Sequence, residues 1–108
     1  MCGIAGFVGG SWSSEAEADR TLTAMAQSIR YRGPDHSAVW LDREAEVGFA
    51  HNRLAIIDVS PAGNQPMHSH SGRYLITFNG EIYNYHDLRR DLEEEGRAPN
   101  WKIGRAHV

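Results

Sequence analysis

Cysteine is almost missing from this 108-residue chain: Cys2 is its only one. No internal disulfide can form, and a reducing compartment would keep that sulfur as a thiol. Long hydrophobic runs are missing as well, none approaching the roughly 20 residues of a bilayer span. The residues behind Met1 carry neither a basic n-region nor a small-residue cleavage site, so no secretory leader is expected and the cytoplasm is the expected compartment. No sign of charge dominates, since 11 Lys and Arg against 14 Asp and Glu leave a formal net charge of −3. That balance offers no basic field for nucleic acid and no cationic face for a membrane. Internal repeats and low-complexity linkers are absent, and the length suffices for one small domain but not two. The pair His68-x-His70 is too sparse for a zinc site, so no metal is expected and both histidines are read as loop residues.

What is present begins at Cys2, directly behind the initiator methionine, in the run Cys2-Gly3-Ile4-Ala5-Gly6-Phe7-Val8-Gly9. Removal of Met1, normal when the next side chain is small, would leave a thiol and a free α-amine on one residue. An α-amine titrates well below a lysine and is partly uncharged near neutral pH, which suits it to activate its own thiol as an N-terminal nucleophile. Alone, a cysteine is more often an inert small hydrophobe. Its position and the flexible Gly3 raise the catalytic reading.

Residues 3 to 8 read as a buried strand ending at Gly9-Gly10. Ser14-Glu15-Ala16-Glu17 has capping-box spacing, and Leu22, Met25, Ala26 and Ile29 recur at helical intervals, which predicts a helix over about 15–29. Arg32-Gly33-Pro34-Asp35 breaks it. Strands are expected near 37–41, 46–50, 54–58 and 73–78, with a surface loop over 60–72. A second helix is expected over about 85–95, burying Leu88 and Leu92 and stopping at Gly96.

Several residues admit both a bland and a chemical reading. Asn79-Gly80, taken alone, reads first as a two-residue hairpin turn. The same pair can direct an amide group and a backbone N–H at one oxygen, which is an oxyanion hole. Arg53 is either a solvated strand-end arginine or a forked clamp for a carboxylate. Arg32 and Asp35 suggest a local ion pair of little worth. His51 is a conceivable base for Cys2, although nothing nearby has the local pattern of a cysteine protease.

Four ordered motifs, Cys2-Gly3-Ile4-Ala5-Gly6, Arg30-Tyr31-Arg32-Gly33-Pro34-Asp35, Arg53-Leu54-Ala55-Ile56-Ile57-Asp58 and Asn79-Gly80-Glu81-Ile82-Tyr83-Asn84, together resemble the class II glutamine amidotransferases over about residues 2–102. Within that group the chain is similar to the amino-terminal glutaminase domain of glutamine-hydrolysing asparagine synthetases. The resemblance implies an α+β fold, the four-layer αββα sandwich of N-terminal-nucleophile hydrolases, incomplete in this chain. It implies Cys2 as nucleophile, Asn79 and Gly80 as oxyanion donors, and Arg53 and Glu81 as holders of the α-carboxylate and α-amino group of L-glutamine. No cofactor is implied for this part. A carboxy-terminal synthetase domain is the implied partner, with ATP and Mg²⁺ as its needs, and a homodimer is left open.

The departures carry expectations of their own. A Ser-Asp-Thr-Glu-like segment, expected just after Lys102, is missing. Ile103-Gly104-Arg105-Ala106-His107-Val108 matches the translation of a common sequencing-adapter read, so residues 1–102 are expected to be a partial domain and 103–108 a non-native tail. Such a fragment is expected to expose apolar faces and strand edges, to associate, and to lack glutaminase activity by itself. Two rivals stand beside this reading. One is an amidotransferase acting on another acceptor; the other is a non-catalytic module in which Cys2 is inert.

Overall fold

The computed structural model describes residues 1–56 and 59–98. The expected tail at 103–108, and residues 57 and 58 of the strand expected at 54–58, lie outside the described residues. The architecture is a mixture of helix and antiparallel sheet.

Three strands, β1 (Gly3–Val8), β2 (His36–Asp42) and β3 (Val47–Arg53), form an antiparallel sheet in the order β1-β3-β2. Ile4 lies opposite His51 on one side of β3, and Ala38 lies opposite it on the other. Bonding on both edges carries β3 through the polar run His51-Asn52-Arg53, past its expected end at residue 50. The β2–β3 turn is fixed by Asp42, whose Oδ1 accepts the Ala45 N–H at 3.0 Å.

Helix α1 (Glu15–Ser28) starts where its sequence dictates. Ser14 Oγ accepts the Glu17 N–H at 3.1 Å, and the Glu17 carboxylate reaches back to the N–H and hydroxyl of Ser13, one residue earlier than in the usual capping box. Ala18, Leu22 and Ala26 recur four residues apart and are buried against the sheet. A fully buried leucine such as Leu22 contributes about 2 kcal/mol by removal from water. Asn52 stitches the last turn of α1 to the central strand: its Nδ2 donates to the Ala26 carbonyl at 2.6 Å while its Oδ1 accepts from Ser37 Oγ at 2.7 Å.

Alternation along β3 places Phe49, His51 and Arg53 on the face opposite α1. A two-stranded ribbon, β4 (Met67–His68) with β5 (Leu75–Ile76), reaches that face. The ring of His68 meets the edge of Trp40, which in turn stacks on Phe49. Thus helix, sheet and ribbon are layered in that order. The ribbon's tight turn is at Ser69–Gly72, where the Gly72 N–H bonds to the Ser69 carbonyl at 2.9 Å and Gly72 has φ +74°. The hairpin suggested by Asn79-Gly80 is therefore absent, and those residues instead lead into the turn before helix α2 (Tyr85–Glu94). His68 belongs to β4 and is not a loop residue.

Two expected strands give way for one reason. Leu54, Ala55 and Ile56 form no strand, because the Leu54 N–H bonds to Cys2 Sγ at 3.3 Å and the Ala55 N–H to Asp35 Oδ2 at 2.8 Å. The strand expected over 73–78 is reduced to Leu75–Ile76, and side chains take both backbone groups of Phe78.

Helix α2 ends at Gly96, with φ +71°, where the Gly96 and Arg97 N–H groups close a Schellman motif on Glu93 and Leu92. Contrary to expectation it buries neither leucine: Leu88 is 45% and Leu92 39% exposed. Two exposed ion pairs, Arg89–Glu93 and Asp87–Arg90, decorate its surface. Further apolar surface is open on β1, at Ile4 and Val8. No helix among the described residues is long and apolar enough to cross a membrane, and no group of three or more His, Cys, Asp or Glu gathers among them as a metal site.

Candidate active site

Cys2 precedes β1 and is completely buried. Its sulfur accepts the Leu54 N–H at 3.3 Å and lies 3.8 Å from the Leu54 carbonyl oxygen. Its own carbonyl accepts Arg32 Nε–H at 3.1 Å. Asp35, three residues on, binds the other side of the same sheet end, donating its N–H to the Arg53 carbonyl at 3.0 Å and accepting from Ala55. The expected local ion pair between Arg32 and Asp35 is not what this motif forms: the pair brackets Cys2 and the end of β3. Gly33 is required in that bracket, since a Cβ there would stand 2.4 Å from the Asn52 carbonyl oxygen.

Arg53 is 2% exposed, which removes the reading of a solvated strand-end arginine. Its Nη1 donates to the Ser60 carbonyl at 2.5 Å and to Asn64 Oδ1 at 3.0 Å. Gly63 admits the guanidinium, because a Cβ at that position would lie 2.1 Å from Nη2. Beside it is a cavity of about 240 Å³, lined by Asp35, His36, Arg53, Ala55, Val59, Pro61 and Asn64. A buried, oriented guanidinium on a cavity wall suits bidentate capture of a carboxylate.

Asn79 and Gly80 are half-buried, and Glu81 is exposed. The residue before them is held from two directions: Gln65 Oε1 accepts the Phe78 N–H at 2.6 Å, and His51 Nε2 lies 3.3 Å from the Phe78 carbonyl oxygen. A carbonyl only accepts, so the neutral His51 ring carries its proton on Nε2. His51 is thus engaged with Phe78 while Cys2 is engaged with Leu54, and no cysteine–histidine pair forms.

The family model described as a glutamine amidotransferase domain matches residues 1–102. The chain belongs to this family. It is homologous, at about 40% identity, to the glutaminase part of glutamine-hydrolysing asparagine synthetases. The glutamine-hydrolyzing asparagine synthetase of Sandersonia aurantiaca is 41% identical over 92 residues, covering 85% of this chain and 17% of that protein. Asparagine synthetase 1 of Bacillus subtilis is 42% identical over 101 residues, covering 93% of this chain and 16% of that protein. Amidase chry2 of Gibberella zeae is 38% identical over 103 residues, covering 88% of this chain and 15% of that protein. The chain therefore spans about one sixth of the length of these curated relatives. No solved structure gives a significant match.

In this amidotransferase domain, then, Cys2 and Arg53 share one end of the sheet, and the segment entering Asn79-Gly80 is tied to β3 two residues upstream of Arg53. Glu81 lies on the exposed segment that follows. Sequence reasoning missed Asn52, Asn64 and Gln65, whose amides have no motif of their own. The available signal was three polar residues, His51, Asn52 and Arg53, at the end of a strand that would otherwise alternate.

Burial holds the His51 ring below the ordinary histidine range; the bond to the Phe78 carbonyl opposes this, and His36 and Arg53 add to the lowering. The unfolded ring therefore takes up a proton that the folded one resists. Stability from this residue should be complete above about pH 6.5 and should fall as the pH drops below it. Unfolding midpoints between about pH 5 and 8 should show a loss on acidification that is distinctly shallower in His51→Gln. Equal slopes in the two proteins would contradict it.

Proposed function

We propose that this chain is the glutaminase part of a glutamine-hydrolysing asparagine synthetase, acting on L-glutamine. The observation that carries the reading is the meeting of the buried Cys2 thiol with the residue that follows Arg53, the buried guanidinium beside a cavity. Removal of the exposed Met1 would turn the Cys2 nitrogen into an α-amine beside its own thiol. The α-carboxylate of glutamine pairs with Arg53, with Glu81 helping to hold the α-amino group. The α-amine takes the thiol proton as sulfur attacks the γ-amide carbon. The resulting oxyanion is held by the Asn79 side-chain amide and the Gly80 N–H. The amine then returns the proton to the leaving nitrogen, and the carbon–nitrogen bond breaks to give ammonia and a γ-glutamyl thioester. Water, deprotonated by the same amine, cleaves the thioester to glutamate.

On this reading residues 1–102 are part of a four-layer αββα domain, for which α1, the three-stranded sheet and the β4–β5 ribbon supply partial support. Residues 103–108 are a foreign tail, and the compartment is the cytoplasm, where a lone thiol stays reduced. Ammonia passes to a synthetase domain that uses ATP and Mg²⁺ to activate aspartate. The described residues gather no metal-binding cluster. A second reading keeps the glutamine chemistry but serves a different acceptor, since a relative of comparable identity, amidase chry2, does not carry the asparagine synthetase name.

The test treats the full-length product of the open reading frame containing this chain with a diazo-ketone analogue of glutamine. Labelling at Cys2 that free glutamine suppresses is the expected outcome. Labelling elsewhere, or indifference to glutamine, would sink the reading in favour of an inert cysteine.

A further inference from the structure

His51 and Gln65 take no part in the chemistry above, yet both are buried, at 0% and 3% exposure, and both point at one residue. That residue is Phe78. Its N–H donates to Gln65 Oε1 at 2.6 Å, and its carbonyl oxygen lies 3.3 Å from His51 Nε2. We propose that His51 and Gln65 are positioning residues that set the Asn79-Gly80 oxyanion donors against the Arg53 carboxylate anchor.

Peptide planarity couples these two bonds to the oxyanion donors. A peptide unit moves as one rigid plane. Gln65 holds the plane between Thr77 and Phe78, and His51 holds the plane between Phe78 and Asn79. With two consecutive planes fixed, the Asn79 Cα has a set position, and its side chain and the Gly80 N–H swing from that fixed point. Both anchors also lie close to Arg53 along the chain or through a neighbour. His51 stands two residues before it on the same face of β3, while Asn64, the neighbour of Gln65, accepts from the Arg53 guanidinium at 3.0 Å. One loop therefore grips the group proposed to hold the substrate's carboxylate and the backbone proposed to hold its oxyanion. The span between them is what a glutamine side chain must match. Misplacing such donors by about 1 Å can cost roughly a hundredfold in rate.

This inference rests on the glutaminase reading, and its test separates the two. In the full-length product, His51→Gln keeps an N–H near the Nε2 position, whereas His51→Leu fills the space without a donor. The expected result is a glutamine-hydrolysis kcat at least about tenfold lower in His51→Leu than in His51→Gln. KM should stay within about twofold, and affinity for the γ-aldehyde analogue of glutamine should fall by the same factor as kcat. Equal kcat values in the two variants would overturn the proposal. If His51→Leu gives no cooperative melt, Gln65→Met decides instead: an unchanged kcat overturns the proposal, and a tenfold loss at constant KM upholds it. Failure of the underlying reading looks different, since Cys2→Ala would then still release glutamate.

Discussion

Cys2→Ala in the full-length product is expected to abolish glutamate release from glutamine, by about 10⁵-fold or more, while an ammonia-driven reaction of the same protein continues. The size follows from the loss of the bond-forming atom, since removing a nucleophile leaves only binding and oxyanion stabilisation to act on water. The substitution is also gentle to the fold. It deletes one sulfur that bonds only to the backbone of Leu54, and leaving that N–H without its partner costs about 1–3 kcal/mol. Assays of glutamate release and of ammonia-driven turnover, with a thermal melt, separate the outcomes. Loss of both activities with a lowered melting point would mean that Cys2 holds the sheet end together and does no chemistry.

The second large effect is expected at Asn79. Asn79→Ala should lower kcat for glutamine by about 10² to 10³ with KM little changed, because an oxyanion donor acts on charge that exists only in the transition state. The residue is half-buried and lies outside every strand and helix, so the folded state should tolerate the change. The hairpin reading predicts the reverse, a stability loss with chemistry intact. That hairpin is absent from the fold, where the tight turn of the β4–β5 ribbon is at Ser69–Gly72. Steady-state kinetics beside a denaturation curve decide between the two. A kcat within about twofold of wild type would remove Asn79 from the mechanism.

Local chemistry was legible wherever the backbone bonds to its near neighbours. Ser14 and Glu17 announced the start of α1 and Gly96 announced the end of α2, each because its bonds close within a few residues, while the apolar run over 3–8 announced β1 by composition although its partner β3 is distant in sequence. Legibility failed where a backbone group is satisfied by a side chain distant in sequence. Leu54 looks like a strand residue, but its partner is Cys2, 52 residues away. Phe78 continues an alternating strand in sequence, yet Gln65 and His51 take both its polar groups. Arg53 reads as a surface charge until the space opened by Gly63 is seen to hold its guanidinium. Of the candidate site, the motif residues Cys2, Arg53, Asn79, Gly80 and Glu81 could be named in advance as candidates. The supporting residues Asn52, Asn64 and Gln65 could not, because an amide that serves a distant backbone leaves no periodic trace. Leu88 and Leu92 failed differently: their spacing describes an apolar stripe, but among the described residues it is left partly exposed, at 45% and 39%.

The most direct test of the central claim is a rapid-quench intact-mass measurement of the full-length product mixed with glutamine, followed by peptide mapping of its amino terminus. The expected result is a chain that begins at Cys2, Met1 having been removed, and a transient increment of one γ-glutamyl group that maps to that residue and decays as glutamate appears. Glutamate appearing with no adduct on Cys2 at any quench time, or from a chain that retains Met1, would contradict it.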